Sequence, residues 1–166
     1  MNDKKRVPNI TLNGCRIIFR NFSGKADKFN PAGRRSYCVL IDQELAEELK
    51  AGGWNIKTLK PRDENEDPQP YLQVRVNYRN DENTDPKIYL VSGKHKTLLD
   101  AETISSLDYA EIENVDVVIH PYAWEMTDGK SGITAYTKKM YVTVPVDDLD
   151  EKYSFDDEEE EEAPFN

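Results

Sequence analysis

The chain has 166 residues, 37% apolar and 33% charged, with a net charge of -10. That length suits one domain with room for a tail, and no apolar run approaches the ~20 residues needed to span a bilayer. The polar N-terminus holds no signal-peptide core, so a soluble, intracellular protein is expected, with Cys15 and Cys38 as free, buried thiols.

Residues 15–22 (CRIIFRNF) alternate as a half-buried strand. Cys15, Ile17 and Phe19 are expected to face inward, and Arg16, Arg20 and Phe22 outward. A loop rich in Gly, Lys and Asn follows, carrying Lys25, Lys28 and Phe29. Arg34 leads into a second strand, residues 35–41, with Arg35 and Tyr37 near its start. Residues 42–52 form the clearest helix, capped by Asp42, striped by Leu45, Ala46 and Leu49, and stopped by Gly52. Trp54 begins an extended stretch to residue 60 and is expected to close the helix onto the body. Residues 61–70 (PRDENEDPQP) read as a solvated loop.

Residues 71–79 (YLQVRVNYR) have the cleanest period of two in the chain. Leu72, Val74, Val76 and Tyr78 form the inward set, and Tyr71, Arg75 and Arg79 the outward one. A short strand spans residues 87–91 and a short helix capped by Asp100 spans 100–107. Residues 113–124 and 132–144 are two long strands joined as a hairpin through 126–131 (MTDGKS). Many strands, with a short helix just before a final hairpin, predict a mainly β fold. The expected architecture is an OB-fold-like five-stranded barrel with one or two short helices, in which residues 42–60 are an elaboration.

The acidity is not spread evenly. The last 20 residues hold 11 of the 32 acids and one of the 22 bases, leaving 21 of each in residues 1–146. The expected division is therefore a binding domain, 1–146, and a disordered acidic tail, 147–166. Seven carboxylates stand in a row: Asp156, Asp157, Glu158, Glu159, Glu160, Glu161 and Glu162. Their mutual repulsion prevents independent folding. Pro164 and Phe165 follow, and an apolar ring beyond an acidic run reads as a peptide ligand for a protein partner. The same acids can compete for the body's own cations.

No catalytic constellation can be assembled, and neither a metal nor a cofactor is expected. His95 and His120 are the only histidines, and neither has metal-ligand spacing. Gly129-Lys130-Ser131 lacks the first glycine of a phosphate loop, because Trp124 stands there. What the body offers instead is cations interleaved with rings. These are Arg16, Arg20, Phe22, Lys25, Lys28, Phe29, Arg34, Arg35, Tyr37, Tyr71, Arg75 and Arg79, with Lys130 at the hairpin tip and Lys139 and Tyr141 on its return strand. Single-stranded nucleic acid exposes a line of phosphates and a row of base faces. Cations neutralise the first and rings stack on the second. Phe22 and Tyr141 have the alternative of packing beneath a loop.

The acidic run closing on Pro-Phe resembles the tip of bacterial single-stranded-DNA-binding proteins, which recruits replication, recombination and repair proteins. This chain departs from it by adding Asn166 after Phe165. Five stretches of the body carry a narrower resemblance: 16–25 (RIIFRNFSGK), 53–62 (GWNIKTLKPR), 69–74 (QPYLQV), 120–124 (HPYAW) and 140–144 (MYVTV). In that order they resemble the OB-fold single-stranded-DNA-binding proteins of tailed bacteriophages. The resemblance implies a non-enzymatic protein that coats single strands in the host cytoplasm during phage replication or recombination. The tail is expected to recruit a helicase, polymerase or recombinase. The oligomeric state, a homo-oligomer included, stays open. The competing expectation is an adaptor that binds no nucleic acid and whose tail mimics DNA.

Overall fold

The computed structural model describes residues 7–26, 28, 33–60 and 65–146. The expected tail and Phe29 lie outside the described residues. The elements run β1 (Ile10–Cys15), β2 (Ile17–Asn21), β3 (Arg35–Leu40), α1 (Gln43–Ala51), β4 (Ile56–Leu59), β5 (Gln69–Val76), β6 (Lys87–Ser92) and β7 (His95–Leu99). A 3-10 turn (Ile104–Asp108), β8 (Asn114–Glu125) and β9 (Ser131–Val144) complete the order.

The strands pair in the order β1-β8-β9-β5-β3-β2, with β5 and β9 parallel and the other neighbours antiparallel. β1 and β2 are consecutive and separated only by Arg16, whose carbonyl accepts the Leu40 N–H at 3.0 Å. The sheet thus returns to its starting point through one bent strand, which gives the OB-like ring of five expected from the sequence. Val39, Leu72, Val74, Val117, Ile119, Met140 and Val142 fill its interior. Ile104 and Leu107 of the 3-10 turn are buried in the same core. No described helix is long and apolar enough to cross a membrane.

Two elaborations decorate the ring. α1 and β4 lie between β3 and β5, and β4 pairs with β5. Asp42 caps α1 by accepting the Leu45 N–H at 2.7 Å, and Ala46 and Leu49 are its buried stripe. Trp54 is buried beyond the helix and bridges to Ile133, so it does close the helix onto the sheet. The second elaboration is the β6–β7 hairpin. β6 lies parallel to β9 from Lys87↔Lys139 to Ser92↔Val144, taking over where β5 leaves off. Neither β1 nor β7 was expected as a strand.

The expected facing of β2 is overturned past Ile18. Ile18 opposes Cys38 and Asn21 opposes Ser36, so β2 advances three residues while β3 advances two. The extra residue is a β-bulge, and Phe19 adopts a left-handed φ of 51° within it. Alternation then resumes with the faces exchanged. Phe19, expected inside, is 61% exposed, and Phe22, expected outside, is wholly buried. Phe22 stacks on Tyr37 at 5.2 Å between centroids. Arg20 shares the inward side, and its guanidinium donates to the carbonyls of Leu107 (2.9 Å) and Ala110 (2.7 Å). Tyr37, also expected on the surface, is wholly buried, with its hydroxyl 2.7 Å from Thr137 Oγ1. Burial pushes that hydroxyl's pKa up.

Cys15 and Cys38 are both free, Cys38 buried and Cys15 partly so. Burial raises both thiols to about 11, so they stay protonated at neutral pH.

Phe22→Ala is expected to cost ~3–5 kcal/mol of stability through the cavity it leaves. Phe19→Gly, which relieves the left-handed backbone, is expected to stay within ~1 kcal/mol of the parent. Urea midpoints of the two variants check this, and equal losses would contradict the exchanged faces.

Candidate nucleic-acid interface

β5 sends Leu72, Val74 and Val76 into the core, so Tyr71, Gln73 and Arg75 must face out. Asn77 and Arg79 continue that outer row beyond the strand, both exposed. β9 behaves likewise: Ile133, Ala135 and Thr137 are buried, which turns Thr134 and Tyr136 outward. Because Arg75 pairs with Ser36 on one side and Tyr136 on the other, and Tyr136 pairs with His120, a transverse row forms. It reads Ser36, Arg75, Tyr136, His120.

Two recesses adjoin along this face. One, of about 330 Å³, is lined by Arg34, Arg35, Arg75, Asn77 and Tyr136 among others. The second, of about 410 Å³, is lined by Asn77, Arg79, His120, Tyr122, Tyr136 and Lys138 among others. Asn77 and Tyr136 belong to both, so the two form one trough. No carboxylate lines either recess among the described residues. The nearby Asp85 carboxylate instead accepts the Arg79 backbone N–H at 2.6 Å.

Two ring pairs lie on this side of the sheet. On β5, four residues before Arg75, Tyr71 meets the exposed Phe19 edge-on at 5.9 Å. Within the second recess, Tyr122 meets Tyr136 edge-on at 6.5 Å. Tyr122, Trp124 and Met126 then form an exposed stripe along the ribbon made by the ends of β8 and β9. Gly132 lies under Trp124, where a Cβ would come within 2.6 Å of the indole. That glycine lets the ring lie across the ribbon.

Of the residues expected in the interface, Tyr71, Arg75 and Arg79 share the outer row, and Arg34 lines the trough. Arg35 lines it too, but its side chain is committed. It donates to the Ala101 carbonyl at 3.1 Å and sits over the Tyr78 ring at 5.5 Å. Tyr78 itself is half-buried, and burial raises its pKa to about 12. Arg16 is exposed at the β1–β2 junction, and Lys25 and Lys28 are exposed in the loop after β2. Lys130, at the hairpin tip, faces Asp128 at 4.0 Å. Phe22 and Tyr37 belong to the interior, and Arg20 is half-buried with its guanidinium engaged by the Leu107 and Ala110 carbonyls. Lys139 and Tyr141 lie elsewhere: Tyr141 stacks on Tyr89 beside β6. The alternative of Tyr141 beneath a loop is thereby replaced by a sheet-face position.

The sequence reading missed Phe19, Asn77, His120, Tyr122, Tyr136 and Lys138. For Tyr136 and Tyr122 the signal was present, because each alternates with buried neighbours, Ala135 and Thr137 in one case and Pro121 in the other. For Phe19 there was none, since its exposure depends on the bulge. His120 is exposed, with Nδ1 3.0 Å from Asn9 Oδ1. No cluster of metal-ligating side chains occurs among the described residues.

In solved structures, the single-stranded DNA-binding protein of bacteriophage Enc34 in complex with ssDNA matches with a TM-score of 0.50 at 15% identity. The match covers 87% of this chain and 97% of that one. A C-terminally truncated form of the Enc34 protein matches with a TM-score of 0.48 at 16% identity, over 82% and 86%. Gp2.5, a single-stranded DNA-binding protein encoded by bacteriophage T7, matches with a TM-score of 0.41 at 12% identity, over 82% and 86%. No curated protein matches the chain. The family model of the phage ssDNA-binding domain matches residues 1–163, and the chain therefore belongs to the phage single-stranded-DNA-binding family, a family of binding proteins rather than enzymes.

Proposed function

We propose that a single DNA strand lies along the outer row of β5, from the Phe19–Tyr71 pair to Arg79 and Tyr122. The observation that carries this reading is the continuity of the trough through Asn77 and Tyr136. Arg34, Arg75, Arg79 and Lys138 meet the phosphates, and Phe19, Tyr71, Tyr136 and Tyr122 take the bases. The nine residues from Tyr71 to Arg79, eight steps, span at most about 26 Å at ~3.3 Å per step. That suits the small end of OB-fold sites, about 4–16 nucleotides. Stacking is indifferent to base identity because every base has a π-face, so weak sequence preference follows. The solved complex of the Enc34 protein with ssDNA supports the choice of ligand. An adaptor that binds no nucleic acid would give such a trough no task.

In this reading the protein coats and protects strands exposed during phage replication or recombination in the host cytoplasm. The tail does a second job. Its run from Asp156 to Glu162 steers it toward basic surfaces, and Pro164 and Phe165 engage a pocket on a helicase, polymerase or recombinase. With 11 acids, residues 147–166 also compete with phosphates for the body's cations.

Titration with poly-dT at several salt concentrations tests the trough. Four phosphate contacts predict a log–log salt slope near -2.8, from ~0.7 per contact. Arg75→Ala is expected to make the slope shallower by ~0.7 and Tyr136→Ala to cost ~1–3 kcal/mol with little change in slope. Unchanged affinity in both variants would remove the trough from consideration.

Truncation after Val146 tests the tail. The shortened chain is expected to bind poly-dT several-fold more tightly at low salt, with the difference closing as salt rises. Equal affinity with and without the tail would refute the competition.

A further inference from the structure

A second cationic and aromatic cluster stands apart from the trough. Tyr89 of β6 and Tyr141 of β9 are register partners and stack at 5.1 Å with their planes 13° apart. Ile88, Met140 and Val142 beside them point into the core, so both rings face out. Lys96 of β7 sits over both rings, with Nζ 4.8 Å from the Tyr89 centroid and 5.8 Å from that of Tyr141. Lys139 Nζ is 5.4 Å from the Tyr141 centroid.

Two ammonium groups thus crowd one ring, and no described carboxylate pairs with either; the salt bridge found among the described residues is Lys130–Asp128. The carboxylate opposite Tyr141, that of Asp116, is engaged elsewhere. Its Oδ1 accepts the Gly14 N–H at 2.8 Å and its Oδ2 accepts from Asn114 at 3.2 Å. A hydrogen bond to Tyr141 raises the Lys139 pKa above the ordinary lysine value, so the group stays charged. Like charges gathered without a counterion repel, and an anion between them would relieve that repulsion. The rings supply the surface on which a base could stack.

The cluster is joined to the trough by an irregularity in β9. Val118 opposes Lys139 and Ile119 opposes Thr137, so Lys138 is an extra residue in the ladder. The bulge leaves two consecutive lysines exposed. Lys138 lines the second recess of the trough, and Lys139 belongs to the tyrosine cluster.

We propose that the DNA strand leaving the trough at Lys138 continues onto the Tyr89–Tyr141 cluster, where Lys96 and Lys139 hold a phosphate as a second subsite. This inference rests on the trough reading. It predicts a footprint longer than the trough alone.

The test uses the full chain with Lys96→Ala and Lys139→Ala combined, titrated with oligo-dT of about 5 and about 20 nucleotides, one near the lower and one above the upper limit of OB-fold site sizes. The expected result is a loss of about ten-fold for the long oligomer, with its salt slope shallower by ~0.7 from the one lost phosphate contact. Affinity for the short oligomer stays within two-fold, and replacing both lysines by Arg restores the slope. Unchanged binding of the long oligomer, or equal losses on both lengths, would overturn the proposal. So would tighter binding, which would assign the cluster to the acidic tail instead. Failure of the trough reading is separately visible, because Arg75→Ala would then leave the short oligomer unaffected.

Discussion

Three one-residue insertions into the strand ladders decide which side chains this barrel shows to its surroundings. The first lies in β1 between Leu12 and Cys15, where Gly14 takes a φ of 63°. The second, in β2, brings Phe22 into the core and leaves Phe19 outside. The third, in β9, exposes Lys138 and Lys139 together. A ladder with strict alternation could not do this, because each strand would keep one face inward along its whole length. Bulges also bend the strand that carries them, and the ring needs such a bend where β1 passes into β2. The same device therefore serves closure and display.

A body with equal numbers of acids and bases can still be positive on one side if its acids are occupied. Here the aspartates serve the backbone. Asp108 accepts the N–H groups of Phe22 and Ser23, Asp116 that of Gly14, Asp85 that of Arg79, and Asp42 that of Leu45. Asp100 accepts from Thr103 and Glu102, and these bonds, that to Thr103 foremost, hold its carboxyl below the usual carboxylate range. A depressed folded-state pKa means this contribution is present at neutral pH and is lost as the solution is acidified through it. These carboxylates thus cap turns and strand ends, and none of them lines the two recesses. Among the described residues, no carboxylate lines the trough beside Arg75 and Arg79. Charge neutrality of the body and positivity of the trough are compatible for this reason.

Much of this was legible in the residues. The alternation of Leu72, Val74 and Val76 with Tyr71 and Arg75 marks the outer face of β5, because a strand with one buried face has no other register. The Asp42 cap and Leu49 stripe marked α1. The facing of Phe19, Arg20 and Phe22 was not legible, since a bulge depends on the partner strand and leaves no glycine in β2 to announce it. Tyr37 looked like one more exposed strand tyrosine. Its burial depends on Thr137, 100 residues away, supplying a hydroxyl at 2.7 Å. Arg20 was misread for the same reason, as its acceptors at Leu107 and Ala110 exist only once the 3-10 turn docks. Long-range polar partners turned residues that suit an interface into parts of the frame.

Phe19 shows how the frame and the interface are connected energetically. A non-glycine residue held in left-handed backbone costs of order 1–3 kcal/mol. The surrounding structure bears that cost: Phe22 is locked against Tyr37, Arg20 is tied to the 3-10 turn, and Asp108 holds the backbone just beyond. One base stacked on an aromatic ring returns about 1–3 kcal/mol, a quantity of the same size. Had the ring been presented by a mobile loop, part of that return would go to ordering the loop when the strand arrives. Placing the strain within the folded barrel moves the cost to folding, where a large core can bear it. In the proposed binding mode the ring is then already in position when a strand reaches the trough, and the bulge in β2 is what makes that exchange possible.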